Sequence, residues 1–192
     1  MLYDTETTTG SEGHGAVNFA FEHLLAKAQF VVTSTTEGGY YYNVKGIKIH
    51  NFAQGTYTIN GGTWSELTSV AYELGDILNV TAANTKTNAT QVLLIPTTTD
   101  FNVEFVVELR NDMGTTADTS DDALLREIHY TATALPDGSK AEKKDPIEVK
   151  TDLVKGHAYN FNIALEVGSP IKFTVTSQPT WTPDNADLDL GL

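Results

Sequence analysis

Five histidines and one pair of adjacent acids are the first residues to test for chemistry. His14, His23, His50, His129 and His157 are scattered, with no H-x-H or H-x-x-x-H spacing to bring two imidazoles onto one metal. Asp121 and Asp122 adjoin but have no partnered base, and a glycoside hydrolase would need two carboxylates converging across a cleft. Cysteine is absent, which removes thiolate nucleophiles, disulfides and Cys-based metal centres. No G-x-S-x-G, dinucleotide or phosphate-loop pattern occurs. Residues 184–191 alternate Asp with apolar residues, but without the spacing or closing Glu of an EF-hand calcium loop. We therefore expect no catalytic residue, no cofactor and no metal: the chain reads as a protein that is not an enzyme.

Two weaker patterns remain. Asn79-Val80-Thr81 and Asn88-Ala89-Thr90 match a glycosylation acceptor, as chance allows in a Thr-rich chain. Tyr40-Tyr41-Tyr42 with Tyr57 and Trp64 could stack on sugar rings, which makes a surface glycan-binding β-sandwich module the alternative function. The competing reading is that alternate rings fill the core and the others lie on a sheet surface.

Composition says what must position these residues. The 192 residues carry a net charge of -13, which disfavours nucleic acid and anionic membranes as partners. Arg110 and Arg126 are the only arginines, so anchors for phosphate or carboxylate ligands are few. Charged residues make up 19%, and 28 Thr supply much of the polar surface. Thr is β-branched and suits a half-solvated pleated sheet. No apolar run approaches the roughly 18 residues of a membrane helix. Met1 is not followed by a signal peptide, so export implies a targeting segment outside this sequence.

The elements read as strands following strands. Residues 1–16 are polar and are expected as a flexible lead-in. Residues 17–21 alternate with odd positions inward; after Leu24-Leu25 the parity changes, and Ala26, Ala28, Phe30 and Val32 point inward. Such a change implies a bulge or a strand that leaves one sheet for the other. A helix over residues 21–29 is the rival. Residues 40–44, 47–49 and 55–59 read as separate strands, with Gly46 as a bend. Asn60-Gly61-Gly62 marks a hairpin, with Trp64 opening the return strand. Residues 77–80 form a short strand. Residues 92–95, closed by Pro96, read as a strand buried on both faces. Residues 103–109 alternate, and residues 111–122 form a loop. Residues 126–134 place Ile128, Tyr130, Ala132 and Ala134 inward, and Pro136-Asp137-Gly138 is a turn. Residues 140–144 read as a solvated hairpin tip and residues 147–149 as a short edge strand. Residues 157–165 put Tyr159, Phe161, Ile163 and Leu165 on one face, and Ile171, Phe173 and Val175 repeat the pattern. The expected fold is a single all-β domain over residues 1–192, an antiparallel β-sandwich.

Met1-Leu2-Tyr3, residues 17–27, Leu93-Leu94-Ile95-Pro96, residues 155–161, Ile171-Lys172-Phe173 and Trp181, taken in this order, together resemble the fimbrillin family of Bacteroidales. Met1-Leu2-Tyr3 is similar to the end of the linker entering that family's C-terminal domain. Residues 17–27, with His23 and Ala26-Lys27, are similar to its first strand. Leu93-Leu94-Ile95-Pro96 is similar to its strand end, although Thr97 stands where the family usually has Gln. Lys155-Gly156-His157-Ala158-Tyr159-Asn160-Phe161 is similar to its Gly-x-x-Tyr strand, and Ile171-Lys172-Phe173 and Trp181 complete the series. The resemblance implies a transthyretin-like β-sandwich, a lipoprotein precursor, an outer-membrane-anchored fimbrium at the cell surface, and other pilin subunits as partners in a homo- or hetero-polymer. Host or bacterial surface ligands are further implied partners. It also implies assembly by strand exchange, in which a protease cutting after an Arg opens a groove for a neighbour's strand. No Arg precedes position 110, so that cleavage maps onto no residue here, and the chain resembles the C-terminal domain alone or a divergent subunit lacking the first domain.

The physical side of strand exchange is simple. Removing a strand from a sandwich leaves an apolar groove and unpaired backbone groups, and an alternating strand satisfies both. Ala186, Leu188, Leu190 and Leu192 alternate with Asp187, Asp189 and Gly191, which makes residues 184–192 the donor-strand candidate. The competing readings are an edge strand of its own domain, or a disordered end.

Overall fold

The computed structural model describes residues 2–4, 21–88, 90–112 and 121–179. The strands in chain order are β1 (Leu2–Asp4), β2 (Phe21–His23), β3 (Ala26–Ser34), β4 (Tyr40–Thr58), β5 (Thr63–Val80), β6 (Lys86–Thr87), β7 (Val92–Leu94), β8 (Phe101–Asn111), β9 (Ala123–Tyr130), β10 (Glu142–Lys144), β11 (Ile147–Val149), β12 (Ala158–Leu165) and β13 (Lys172–Gln178). No helix occurs among the described residues. One sheet runs β10-β9-β8-β4-β5, with β11 also on β8; the second runs β13-β12-β3-β6, with β7 also on β3. β1 and β2 form a small antiparallel pair of their own.

The odd-parity stretch expected at residues 17–21 lies almost wholly outside the described residues; from Leu24 onward the even positions are buried, and the chain enters the second sheet after Leu24-Leu25. β2 pairs with β1, and β3 then enters the second sheet with Ala26, Ala28, Phe30 and Val32 buried. The helix alternative is excluded, because residues 26–34 are extended. β12 alternates as its sequence does, burying Tyr159, Phe161, Ile163 and Leu165. Phe161 sits at the centre of the core, with ring centroids 5.3 Å from Phe30 and 6.1 Å from Phe101, the latter edge to face. That geometry suits the ring quadrupoles.

The sheets are mixed, not purely antiparallel. β3 and β12 run parallel from Lys27↔Ala158 to Ser34↔Leu165, and β9 and β10 run parallel. Antiparallel pairing follows from short hairpins, but a parallel pair needs only a long crossover. Here the first sheet is the crossover between β3 and β12. Residues 140–144, expected as a solvated hairpin tip, include β10 for the same reason: the loop through Pro136-Asp137-Gly138 lets the chain return alongside β9.

Four local expectations also change. Residues 40–58 are one bulged strand, β4, rather than three, because bulges absorb the shifts in pattern. Gly46 supports one of them at φ 57, a conformation that favours glycine. Likewise residues 77–80 are the end of the long β5. Leu93 is exposed, so β7 is buried on one face only. Ala132 and Ala134 lie exposed beyond the end of β9, leaving Ile128 and Tyr130 as its inward pair.

The register defines two poles. Tyr42 pairs with Leu109 at one, close to Leu165; at the other, His50 pairs with Asn102, and Ala158 pairs with both Lys27 and Gln178. β8 covers β4 only as far as His50, so beyond it β4 and β5 continue as a two-stranded arm.

Candidate functional site

Among the described residues, those first considered for chemistry do not come together. His50 Nε2 lies 3.6 Å from Glu104, His129 contacts Glu127, and His157 stacks on Tyr159. Among the described residues no group of three His, Asp or Glu could hold a metal. His14, Trp181 and the acidic stretch 184–191 lie outside the described residues. Asp122 accepts a hydrogen bond from the Tyr41 hydroxyl. Burial, and then that bond, push the Tyr41 phenol up to about 12. Asn88 is buried with its carbonyl oxygen 2.6 Å from the Phe30 amide, so it cannot present a glycan.

The suggested sugar-stacking face is split. Tyr41 and Tyr42 are buried near one pole, whereas Tyr57 and Trp64 pair at the tip of the arm, their centroids 5.1 Å apart. Fifteen residues of β4 separate Tyr42 from Tyr57, about 50 Å of strand.

What the fold does assemble is a narrow groove at one end of the sandwich, between the first sheet and the stretch of chain from Leu165 to Ile171 that leads from β12 into β13. Tyr42, Val107, Leu109 and Ile128 form one wall, and Leu165 and Ile171 form the other. Among the described strands, both sheets end on that side with edges that are partly or wholly unpaired. β13 pairs only with β12, so its outer edge is unpaired among the described strands. β10 covers β9 only at residues 128–130, so residues 123–127, where Leu124 and Leu125 are exposed, have no partner on that edge among the described strands. Inward from the β13 edge, Phe173 and Val175 are half-buried.

The rim carries Glu166 on one side and a paired cluster on the other. Glu142 bridges Arg126 and Lys144 at 2.7 Å each, and those two hydrogen bonds hold its carboxyl down at about 2. Burial pushes the Tyr42 and Tyr130 phenols up, so both remain neutral. Such a wall can bury apolar side chains and pair backbone.

A family model described as fimbrillin-like matches residues 1–179. The chain belongs to the fimbrillin-like family. No curated protein sequence matches it. A fimbrial protein from Bacteroides vulgatus superposes with a TM-score of 0.54 at 14% identity, covering 85% of this chain and 56% of that one. A candidate cell adhesion protein from Bacteroides ovatus aligns at 13% identity over 84% of this chain and 46% of its own, with a TM-score of 0.35. The fimbrillin-like chain thus spans about half the length of the solved proteins it matches.

The donor-strand candidates Ala186, Leu188, Leu190 and Leu192 lie outside the described residues. The groove was missed in the sequence because its lining comes from five separate strands or loops. The exposed Leu124-Leu125 pair, which breaks alternation, was the one local signal of an open edge.

Proposed function

We propose that this chain is a structural and adhesive subunit, or one domain of a subunit, of a bacterial surface fimbrium assembled by β-strand exchange. Cell-surface location, outer-membrane anchoring through a lipoprotein precursor, and a transthyretin-like strand plan belong to the same reading. Its main support is the groove, largely apolar and lying beside strand edges that have no partner among the described strands. Residues 184–192 of another copy supply the matching strand, with Ala186, Leu188, Leu190 and Leu192 entering the groove and their backbone pairing with its edge. Burying each Leu contributes roughly 1.5–3 kcal/mol, before the ordering cost of the strand.

Deleting residues 184–192 from the full-length subunit should abolish polymers while leaving monomer folding intact. Tail-deleted subunits can still accept a strand, so adding them to intact subunits should shorten the polymers. Polymer yield and length unchanged by both manipulations, measured by electron microscopy and size-exclusion chromatography, would reject strand exchange through this segment.

A further inference from the structure

The β4–β5 arm plays no part in the groove, and its composition and position are both unusual. Residues 51–72 carry a single charge, Glu66, in a chain of net charge -13. From Asn51↔Val70 to Thr58↔Thr63 the arm has no third strand among the described residues, and it extends about 25 Å from the sandwich. An isolated two-stranded ribbon is marginal in water. This one is held by the Tyr57–Trp64 ring pair, by Leu67 lying over Gly55, and by a 2.6 Å hydrogen bond from Thr56 to Glu66. Even so it leaves Ile59 62% exposed at its tip, and Leu67 and Val70 exposed along its length.

We infer that the arm is a second contact between neighbouring subunits, bracing the same copy that receives residues 184–192. This rests on the fimbrial reading above. The argument is positional first. β13 ends at Gln178, paired with Ala158, at the pole from which the arm projects. The groove-lining residues Tyr42, Leu109, Leu165 and Ile171 cluster at the opposite pole. A chain leaving one pole to enter the groove of the next copy makes a head-to-tail contact between two different surfaces. The arm reaches from the donating pole toward that same copy. The second argument is charge. Two strongly acidic copies repel each other, and the near-neutral arm is a surface that approaches a second copy without adding to that repulsion. Trp and Tyr beside Thr, Ser, Asn and Gln supply the rigid, adaptable contacts that protein interfaces favour. Size sets the role: one ribbon covers less than the roughly 800 Å² per partner of a standard interface, so the arm reinforces strand exchange and does not replace it.

The sequence contains no cysteine, so Ile59→Cys gives one attachment point for a photocrosslinker at the arm tip. Irradiated polymers should yield covalent dimers whose linked peptide comes from the neighbouring copy. A variant in which Asn-Gly replaces residues 53–68, joining the paired Phe52 and Ser69 by a tight turn, should unfold like the parent monomer. Its polymers should dissociate in detergent about tenfold faster or more. Polymers that give only intramolecular links, or dissociate at the parent rate without the arm, overturn the inference and leave strand exchange standing. A label protected by neutral polysaccharide but not by polymerisation overturns it in favour of a glycan occupant. Polymers indifferent to deletion of residues 184–192, or no polymer from the intact subunit, overturn the underlying reading and this inference with it.

Discussion

The two halves of the β4–β5 hairpin share the same strands but not the same physics. In the inner half, Tyr42, Val44, Ile47 and Ile49 of β4 and Leu74, Ile77 and Val80 of β5 are buried against the second sheet. In the outer half, only Asn51 of β4 is buried, and no residue of β5 between Thr63 and Val70 is. The difference shows that strand pairing is local while burial depends on a second layer. The inner half is therefore held by the core, and the outer half by cross-strand contacts worth tenths of a kcal/mol to about 1 kcal/mol each.

The largest expected effect tests that contrast directly. Phe161→Ala removes a fully buried ring that touches Phe30 and Phe101, and should cost about 3–5 kcal/mol of unfolding free energy in urea. Trp64→Ala in the arm should cost about 1 kcal/mol or less in the same measurement. Equal losses at the two sites would mean that the arm belongs to the cooperative core, and the comparison would fail.

A medium effect comes from the outward face of the inner half. Glu108 is buried there between Lys45 at 2.7 Å and Arg110 at 2.9 Å, with Asn43 at 3.3 Å. Burial alone would raise its carboxyl, but hydrogen bonds from Lys45, Arg110 and Asn43 outweigh this and hold it below its ordinary value. A carboxyl depressed in the folded state contributes stability above its unfolded value, and loses it as the pH falls through the folded one. The wild type should therefore lose stability below about pH 4.5 more steeply than Glu108→Gln. At pH 7, Glu108→Ala should cost about 2 kcal/mol, since it strips two cations of their partner. Identical acid profiles for wild type and Glu108→Gln would remove this cluster as a determinant.

The same contrast explains what could be read in advance. Residues 157–165 were legible because β12 is covered by a second sheet on one face only, so burial copies the alternation of residue types. Residues 40–58 were not legible as one strand, because the bulges near Gly46 and Gly55 shift the pattern that marks a continuous strand. Parallel pairing of β3 with β12 was hidden because nothing local records a partner more than a hundred residues away. The groove was hidden for the same reason. Its walls join Tyr42 to Ile171, and its openness is a missing neighbour rather than a residue type. The acidic cluster at residues 184–191 and the donor residues beside it carry an alternation that fits either an edge strand or a donor strand, and alternation alone does not choose between them.

The smallest expected effect lies inside the arm, at Gly55. A Cβ built there would meet the Leu67 Cδ2 at 2.7 Å, the Ser65 carbonyl at 3.1 Å and the Trp64 Cε3 at 3.2 Å. The Leu67 methyl can swing aside, whereas the Ser65 carbonyl must shift with its strand. Gly55→Ala also narrows the unfolded ensemble, a gain of about 0.4–1 kcal/mol that offsets part of this strain. Global stability should therefore change by less than about 1 kcal/mol, while the packing of Trp64 changes. In a Trp181→Phe background, where Trp64 is the remaining tryptophan, its emission should move to longer wavelength as Leu67 is displaced and water reaches the ring. A loss of several kcal/mol would tie the arm to the core. An unchanged spectrum with unchanged stability would mean that Trp64 is not packed over Gly55, and that the arm is held by backbone pairing alone.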